Sequence, residues 1–180
     1  MKQSYCLILI LSSFTIHSQI NEEGKTKTDS ILSELVNDGD FEYELVGRGF
    51  PSTKYLKFIE LCSISNESEF NKLLKHKHPV VKAYAYWGLV NINPNSAYRV
   101  LKKHRFDFQS IHEQNGCLGG TTQMRFLMAN LLTTKSDQLS PKQITYLDRI
   151  GNKEVRYIFR KKKAHKKRRN KHLRNNLNGI

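Results

Sequence analysis

The sequence predicts an all-α fold, a short right-handed stack of antiparallel helical hairpins. Three observations support this fold class. Apolar residues recur at intervals of three and four along most of the chain, which is the spacing of one helix face. Prolines open several of these segments, and short polar turns separate them. Strand-like alternation occurs only at residues 41–45, with no comparable run to pair with it. We therefore expect a series of short helices joined by short turns within residues 28–150.

The first predicted helix covers residues 30–36. Thr28 or Asp29 supplies its cap, and Gly39 lies beyond its end. The run that follows, residues 41–45, alternates apolar and acidic side chains. Because a single strand cannot form a sheet, we interpret this run as an extended connector.

The next two helices are predicted over residues 52–63 and 67–75. Glycine, proline and serine in residues 47–52 are typical of a turn, and apolar residues then recur at helical spacing. Asn66 and Glu69 have the spacing of a capping box, in which each side chain bonds the main-chain amide of the other residue. These two helices form the first predicted hairpin.

The central helix is predicted over residues 78–92. Pro79 stands at its first position, and one face then carries Val81, Ala85 and Leu89. Pro94 cannot continue this helix and opens the next one, over residues 94–103. These two helices form the second predicted hairpin.

Aromatic residues concentrate around the central helix, at Tyr84, Tyr86, Trp87 and Tyr98. With 100° of rotation per residue, Tyr84 and Tyr86 point about 160° apart, so we expect that both cannot lie in the core. One of them either faces outward as a binding residue or packs between hairpins, and we favour packing.

The remaining body has two more predicted helices. Residues 106–120 are irregular and rich in glycine, and we predict no regular element there. A helix is expected from residue 121 or 122 to residue 132, and a serine-proline pair opens the last one, over residues 141–150.

The segment around the central helix resembles the HEAT family of helical repeats. In that family a valine-arginine pair leads to an alanine four positions later and a leucine four positions after that. The corresponding positions here are Val81-Lys82, Ala85 and Leu89. The match covers about 30 residues, with a lysine in place of the arginine and a turn, residues 76–78, that lacks the family's acidic residue. The resemblance implies a HEAT-like α-solenoid that presents a rigid concave face.

A preceding run resembles small secreted bacterial proteins with HEAT-like repeats, a group without a settled activity. The residues that carry this looser likeness are Gly49, Pro51, Ser52, Tyr55 and Phe58. This likeness supports the predicted helical-repeat fold more than it supports any particular function.

Residues 1–18 have the pattern of a secretory signal peptide. Lys2 precedes an apolar run, and the small Ser18 lies near the switch to polar sequence, so cleavage there leaves Gln19 first in the mature chain. The alternative is a buried first helix, but this run is apolar on all sides and lacks the polar face that such a helix needs. We expect a secreted or periplasmic protein in which residues 19–27 form a mobile leader.

The C-terminal segment, residues 151–180, is a polybasic tail. The chain has a formal net charge of +14, and residues 149–180 carry 13 Lys or Arg against one acidic residue. Such a run cannot bury a core and repels itself, so we expect it to be disordered or a fraying helix. The residues predicted to bind a polyanion are Arg160, Lys161, Lys162, Lys163, Lys166, Lys167, Arg168, Arg169, Lys171 and Arg174.

Two cysteines, Cys62 and Cys117, remain after removal of the signal peptide. An oxidising compartment would permit a disulfide between them, closing a loop of about 55 residues that stabilises the fold by roughly 4 kcal/mol. The alternative is two buried free thiols, since unpaired cysteine is among the most buried residue types.

Two weak patterns in the sequence suggest a metal site or a catalytic site. His76 and His78, with Cys62 or His104, have residue types that bind zinc, but side chains two positions apart at a helix start diverge. A glycine-flanked thiol five residues after His112, at Cys117, superficially suggests a nucleophile with its base. We predict no metal, no cofactor and no catalytic site.

The sequence therefore favours a secreted or periplasmic, non-enzymatic scaffold. Its body, residues 28–150, binds an unidentified protein, and its tail attaches to anionic lipid, lipopolysaccharide or another envelope polyanion. The alternative is a nucleic-acid-binding protein that uses the same tail, expected if the N-terminus stays inside the cell. A tail that only aids solubility is the third possibility.

Overall fold

The chain has a mixed α/β fold, so the prediction of an all-α hairpin stack is wrong. The computed structural model describes residues 26–151 and 153 and contains helices together with one four-stranded sheet. Most of the sheet is formed by two segments that the α-solenoid prediction left without regular structure, the connector at residues 41–45 and the irregular segment at residues 106–120. The elements in chain order are α1 (26–36), β1 (Asp40–Val46), β2 (Phe50–Pro51), α2 (Thr53–Ile64), α3 (Glu67–Leu73), α4 (Pro79–Ile92), α5 (Pro94–Lys103), β3 (Ser110–Gly116), β4 (Leu118–Gln123), α6 (Met124–Thr133) and α7 (141–151).

Each predicted helix is present, but two of the predicted helix starts are wrong. Thr28 and Asp29 lie inside α1, which begins at residue 26, and residues 121 and 122 belong to β4, so that α6 begins only at Met124. The other caps are confirmed. The side chain of Ser52 accepts from the amide of Tyr55 at the start of α2, and the capping box of Asn66 and Glu69 opens α3. Pro79 and Pro94 occupy the first turns of α4 and α5. The starts of these four helices depend on local features, which is why the sequence locates them correctly.

The sheet has the strand order β2-β1-β3-β4. β1 pairs with β3 in parallel, with Phe41 beside Glu113, while the other two pairs are antiparallel. The connector predicted at residues 41–45 is therefore a strand, and its partner lies about 70 residues later in the segment interpreted as irregular. A parallel pair needs a long crossover, which α2 to α5 supply here.

Helix α4 lies at the centre of the fold and contacts α2, α3, α5, α6 and β1. Nine of its residues are buried, including both Tyr84 and Tyr86. The prediction that these two tyrosines cannot both be core is wrong, because α4 is covered on opposite sides. The Tyr84 hydroxyl bonds to Glu42 in β1, and the Tyr86 hydroxyl donates to the carbonyl oxygen of Ala97 in α5, at 3.2 Å.

An aromatic cluster joins α4 to β1 and α2, as the packing interpretation predicted. Trp87 stacks on Phe58 with ring centroids 4.7 Å apart, and Phe41 lies 4.7 Å from Tyr84. Tyr43 and Tyr55 extend the cluster on either side of Trp87.

Among the described residues, no helix is both long and apolar enough to cross a membrane.

Candidate anion-binding site

The ten tail residues predicted to bind a polyanion, from Arg160 to Arg174, lie outside the described residues, as do residues 1–18 of the predicted signal peptide. The described fold nevertheless has its own charge asymmetry. Residues 94–153 carry nine Lys or Arg against four acidic residues, whereas residues 26–60 carry four against seven. The more basic part of the described chain is therefore the part that leads into the tail.

A cleft of about 490 Å³ is lined by residues of this basic part, between the turn after α5, the start of α6 and helix α7. Its walls combine cationic and aromatic side chains. The basic residues that line it are Arg105, Arg125, Arg149 and Lys153, and the other lining residues are Phe106, Phe126, Tyr146 and Ile150. We call it the basic cleft.

Two of its arginines stack on aromatic rings. The guanidinium of Arg125 lies 4.4 Å from the ring centroids of both Phe108 and Phe126, and that of Arg105 lies 4.8 Å from the centroid of Phe106. The Nε atom of Arg125 also donates to the side-chain oxygen of Gln123 at 3.0 Å. Stacking fixes the plane of a guanidinium while its N–H groups at the edge can still bind an anion.

Asp107 holds the turn that carries Arg105. Its carboxylate lies 3.2 Å from the Nδ1 atom of His104 and accepts from the amide of Gln109 at 3.1 Å. Its carbonyl oxygen accepts from the amide of Arg125 at 3.3 Å, which ties the turn to the first turn of α6. The two stacked arginines are therefore presented from one connected piece of backbone.

Helix α7 forms the opposite wall. Leu147 and Ile150 are buried, so the helix is anchored by its apolar face while Arg149 is exposed. Burial raises the pKa of Tyr146, with the nearby Tyr98 adding to the effect and the Arg105 charge opposing it. Its hydroxyl is therefore protonated at neutral pH and can donate to an anion.

The positive charge of the basic cleft is not neutralised within the described part of the chain. No ion pair among residues 26–151 and 153 involves Arg105, Arg125, Arg149 or Lys153. Helix α6 has neither an acidic residue in its first turn nor a side-chain cap, so its dipole adds positive potential at the same place. Chemically, this arrangement suits an anionic group.

The two cysteines of the predicted disulfide are free thiols in this structure. Cys62 is half-buried on α2, and burial raises the pKa of its thiol to about 11. Cys117 is exposed in the turn between β3 and β4, where its thiol donates to the carbonyl oxygen of Gly47 at 2.6 Å. The structure therefore does not pair them.

The thiol and histidine considered as a nucleophile and base are not brought together. His112 and Gly116 are four residues apart on the same extended strand, a distance of roughly 13 Å at the usual rise of a strand, and Cys117 lies beyond it. His112 instead places its Nδ1 atom 3.2 Å from a carboxylate oxygen of Asp40 on β1. The geometry offers no support for a catalytic thiol.

The histidines considered for zinc serve as turn and cap residues. The Nδ1 atom of His78 accepts from the amide of Val80, capping α4, and that of His76 accepts from the amide of His78 at 3.0 Å. Across the part of the chain that the structure describes, no group of three or more potential ligand side chains could hold a metal ion.

The basic cleft was missed by reasoning from the sequence. Its residues come from three segments, and none of them belongs to the run of basic residues that dominates the tail. One signal was present, because the dipeptide Arg-Phe occurs twice, at 105–106 and 125–126. Each copy brings an arginine and a ring together in the cleft.

No protein-family profile, no curated protein and no solved structure matches this chain. The HEAT-like resemblance therefore rests only on the residues that suggested it. The features that bear on function are the geometry of the basic cleft and the charge of the chain.

Proposed function

We propose that the chain is an exported, non-enzymatic protein that attaches to an anionic component of the cell envelope through its basic surface. The observation that supports this proposal best is the basic cleft, where three arginines and a lysine have no ion-pair partner among the described residues. A basic surface of this kind raises the rate of encounter with an anionic target and adds attraction once bound.

The tail extends the same charge in sequence. Arg149 and Lys153 are four residues apart on one helix face, and Arg156, Arg160 and Lys163 follow at intervals of three or four. These later residues are outside the described part of the chain. Near an anionic membrane each basic residue contributes about 1 kcal/mol, so the cleft and the tail together supply ample binding free energy.

Export is supported by the sequence of residues 1–18 alone. An exported basic surface meets anionic lipid, lipopolysaccharide and acidic polysaccharide, which is why we favour an envelope component as the target. Mass spectrometry of the mature N-terminus tests this step. A chain that begins near Gln19 in an exported fraction supports it, and an intact Met1 in the cytosol contradicts it.

A concave solenoid face for a protein partner is not available, because the described residues form a mixed α/β fold and not a stack of helical hairpins. Contact with a protein partner is instead supported by exposed apolar side chains at one end of the sheet. Phe50 is 68% and Leu118 is 80% exposed, and the bond from the thiol of Cys117 to Gly47 links the two turns that precede them. Exposed aromatic and aliphatic residues of this kind are common anchors of protein interfaces.

The experiment is a salt titration of the full-length mature chain with vesicles of phosphatidylcholine alone or mixed with phosphatidylglycerol. We expect binding only to the anionic vesicles, weakening steeply with salt. Replacing Lys161, Lys162 and Lys163 with Gln should lower both the affinity and its salt dependence.

The matched control neutralises three exposed lysines elsewhere, Lys72, Lys75 and Lys77. If this control loses as much affinity as the tail variant, binding reflects net charge alone. Absence of any binding to anionic vesicles at low salt contradicts the proposed function.

A second function, binding of nucleic acid, is favoured by one observation. Phe106 and Phe108 are 67% and 55% exposed and lie beside Arg105 and Arg125. A base stacked on an exposed aromatic ring contributes about 1–3 kcal/mol, and the arginines would bind phosphates. Tight binding of single-stranded DNA that Phe108→Ala weakens, together with retention in the cell, would establish this alternative.

A further inference from the structure

We infer that the basic cleft is a specific site for a phosphate monoester, an inference that rests on the proposed function and names the group recognised there. A merely attractive surface needs only positive charge. A site that is specific for one chemical group also needs enough hydrogen-bond donors, held in fixed positions. The basic cleft has three arginines, and two of them are stacked on aromatic rings.

The number of arginines matches the oxygens of a monoester. A guanidinium binds best when two of its N–H groups face two acceptor atoms. A phosphate monoester offers three terminal oxygens and a charge of about −1.5 to −2 at neutral pH, whereas a diester or a carboxylate offers two oxygens and one charge. Three arginines, Arg105, Arg125 and Arg149, line the cleft, so a monoester uses their donors and charge more fully.

Two of the three arginines, Arg105 and Arg125, are held in place before any ligand binds. The guanidinium of Arg125 lies 4.4 Å from the ring centroids of both Phe108 and Phe126, and its Nε atom donates to the side chain of Gln123. Fixing a long side chain in advance reduces the entropy that binding must remove. The protonated hydroxyl of Tyr146, on the opposite wall, adds a neutral donor that favours an oxygen-rich group.

The cleft is larger than phosphate itself. Its volume of about 490 Å³ falls in the range of sites for small organic ligands. The ring of Phe106 and the side chain of Ile150 supply an apolar wall for the group that carries the phosphate. We therefore expect an organic monoester to bind more tightly than inorganic phosphate.

Binding is measured by titrating the full-length mature chain with four probes: phenyl phosphate, inorganic phosphate, dimethyl phosphate and benzoate. Shifts of the arginine Nε–H signals in NMR spectra locate the site. We expect phenyl phosphate to bind at least about ten-fold more tightly than dimethyl phosphate or benzoate, with inorganic phosphate between them. Equal affinities for phenyl phosphate and dimethyl phosphate overturn the inference.

Two variants test the assignment. Arg149→Gln removes an exposed donor without touching the core, and we expect the affinity for phenyl phosphate to fall by about ten-fold. Arg125→Lys keeps the charge but loses the stacked planar fork, so a comparable loss is expected. The control Lys142→Gln removes one exposed charge from α7 outside the cleft and should leave the affinity unchanged. A loss in this control as large as that of Arg149→Gln overturns the inference.

Two further arms identify the source of the monoester. Vesicles with phosphatidic acid are compared with vesicles of equal charge with phosphatidylglycerol, and a 5′-phosphorylated oligonucleotide is compared with the unphosphorylated one. A monoester preference that Arg149→Gln abolishes, in either pair, supports the inference and shows which kind of molecule carries the phosphate.

The outcomes separate the inference from the proposed function. If all anionic vesicles bind equally and Arg149→Gln has no effect, the inference fails while the proposed function stands. If phenyl phosphate binds the cleft but no vesicle binds at low salt, the proposed function fails instead.

Discussion

The hydroxyl group of Tyr84 forms two hydrogen bonds with the main chain of Glu42. It accepts from the amide nitrogen at 3.1 Å and donates to the carbonyl oxygen at 2.9 Å. The short strand β2 pairs only with Leu45 and Val46, so within the described residues this part of β1 has no strand on that side. A side chain from α4 therefore completes the bonding of the strand and fixes the helix to the sheet.

Replacing Tyr84 with Phe should destabilise the protein by about 2–3 kcal/mol, because it leaves the half-buried amide and carbonyl groups of Glu42 without the partner they have in the folded protein. The matched control is Tyr86→Phe, which removes one longer bond to the carbonyl of Ala97 and should cost about 1 kcal/mol. Urea unfolding followed by circular dichroism measures both. Equal losses of stability in the two variants would show that the two hydrogen bonds of Tyr84 to β1 stabilise the fold no more than the single hydrogen bond of Tyr86.

Glu42 also lies beside a buried lysine. The Nζ atom of Lys54 is 3.9 Å from the Glu42 carboxylate and donates to the carbonyl oxygen of Asp40 at 3.0 Å, with 7% of its side chain exposed. The same carboxylate accepts from the hydroxyl of Ser52 at 2.6 Å. Among the described residues, Glu42 is the only carboxylate that pairs with the ammonium group of Lys54. The Glu42 carboxylate, in contrast, has a second partner in the hydroxyl of Ser52.

We therefore expect Glu42→Gln to destabilise the protein by about 3 kcal/mol, because it leaves a buried positive charge uncompensated. Lys54→Met should cost less, since Glu42 keeps its bond to Ser52. The double variant should be more stable than the sum of the two losses indicates, which is the coupling that a double-mutant cycle measures. Simple additivity of the two losses would contradict a direct interaction.

The helices of this fold could be predicted because their signals are local. Asn66 and Glu69 satisfy each other's amides within one turn, and Pro79 needs no partner elsewhere to begin α4. The sheet could not be predicted in this way. β1 and β3 are about 70 residues apart, β3 is polar in its second half, and β4 contains Gly119 and Gly120, so no hydrophobic alternation marks either strand.

The basic cleft escaped prediction for a related reason. Arg105, Arg125 and Arg149 are isolated in the sequence, and only the packing of α7 against the start of α6 and the turn after α5 brings them around one space. The tail residues are conspicuous because they are consecutive. Clustering along the chain and clustering in the fold are different properties, and a site with fixed geometry depends on the second.

Gly88 allows α3 and α4 to approach closely. A Cβ atom at this position would overlap the ring of the buried Phe70, whereas a Cβ atom at the helical Gly151 would meet nothing. Gly88→Ala should destabilise the protein by about 1–2 kcal/mol, since overpacking outweighs the better helix propensity of alanine. Gly151→Ala should be neutral or stabilising. Thermal unfolding of the two variants checks this, and a stabilised Gly88→Ala variant would contradict the tight contact.

Alkaline pH should unfold the protein through its buried tyrosines. Burial raises the pKa of both Tyr84 and Tyr86, so the folded state keeps their hydroxyls protonated. Their contribution to stability is complete below the unfolded pKa of about 10 and is lost as the pH rises above it. The free energy of unfolding should fall steeply above that pH, and less steeply in Tyr86→Phe. Phenolate absorbance that rises fully before the loss of secondary structure would contradict this order.

The two cysteines should differ in reactivity with a thiol reagent at pH 8. The pKa of Cys62 is raised by burial from its usual 9.0 to about 11, which lowers its thiolate fraction by about 100-fold, and the group is also half-covered. Cys117 is exposed in a turn. We expect fast labelling of Cys117 and slow labelling of Cys62, with Cys117→Ser leaving only the slow phase.

The same raised pKa of Cys62 gives a pH dependence of stability. Its neutral thiol is favoured in the folded state, so its contribution is complete below about pH 9 and is lost between pH 9 and about 11. Cys62→Ala should remove that part of the decline in the free energy of unfolding.

Thiol labelling of protein purified from its native compartment without reductant also tests for a disulfide between Cys62 and Cys117. If neither cysteine reacts until a reductant is added, the thiols are joined in the native protein, contrary to the free pair seen here.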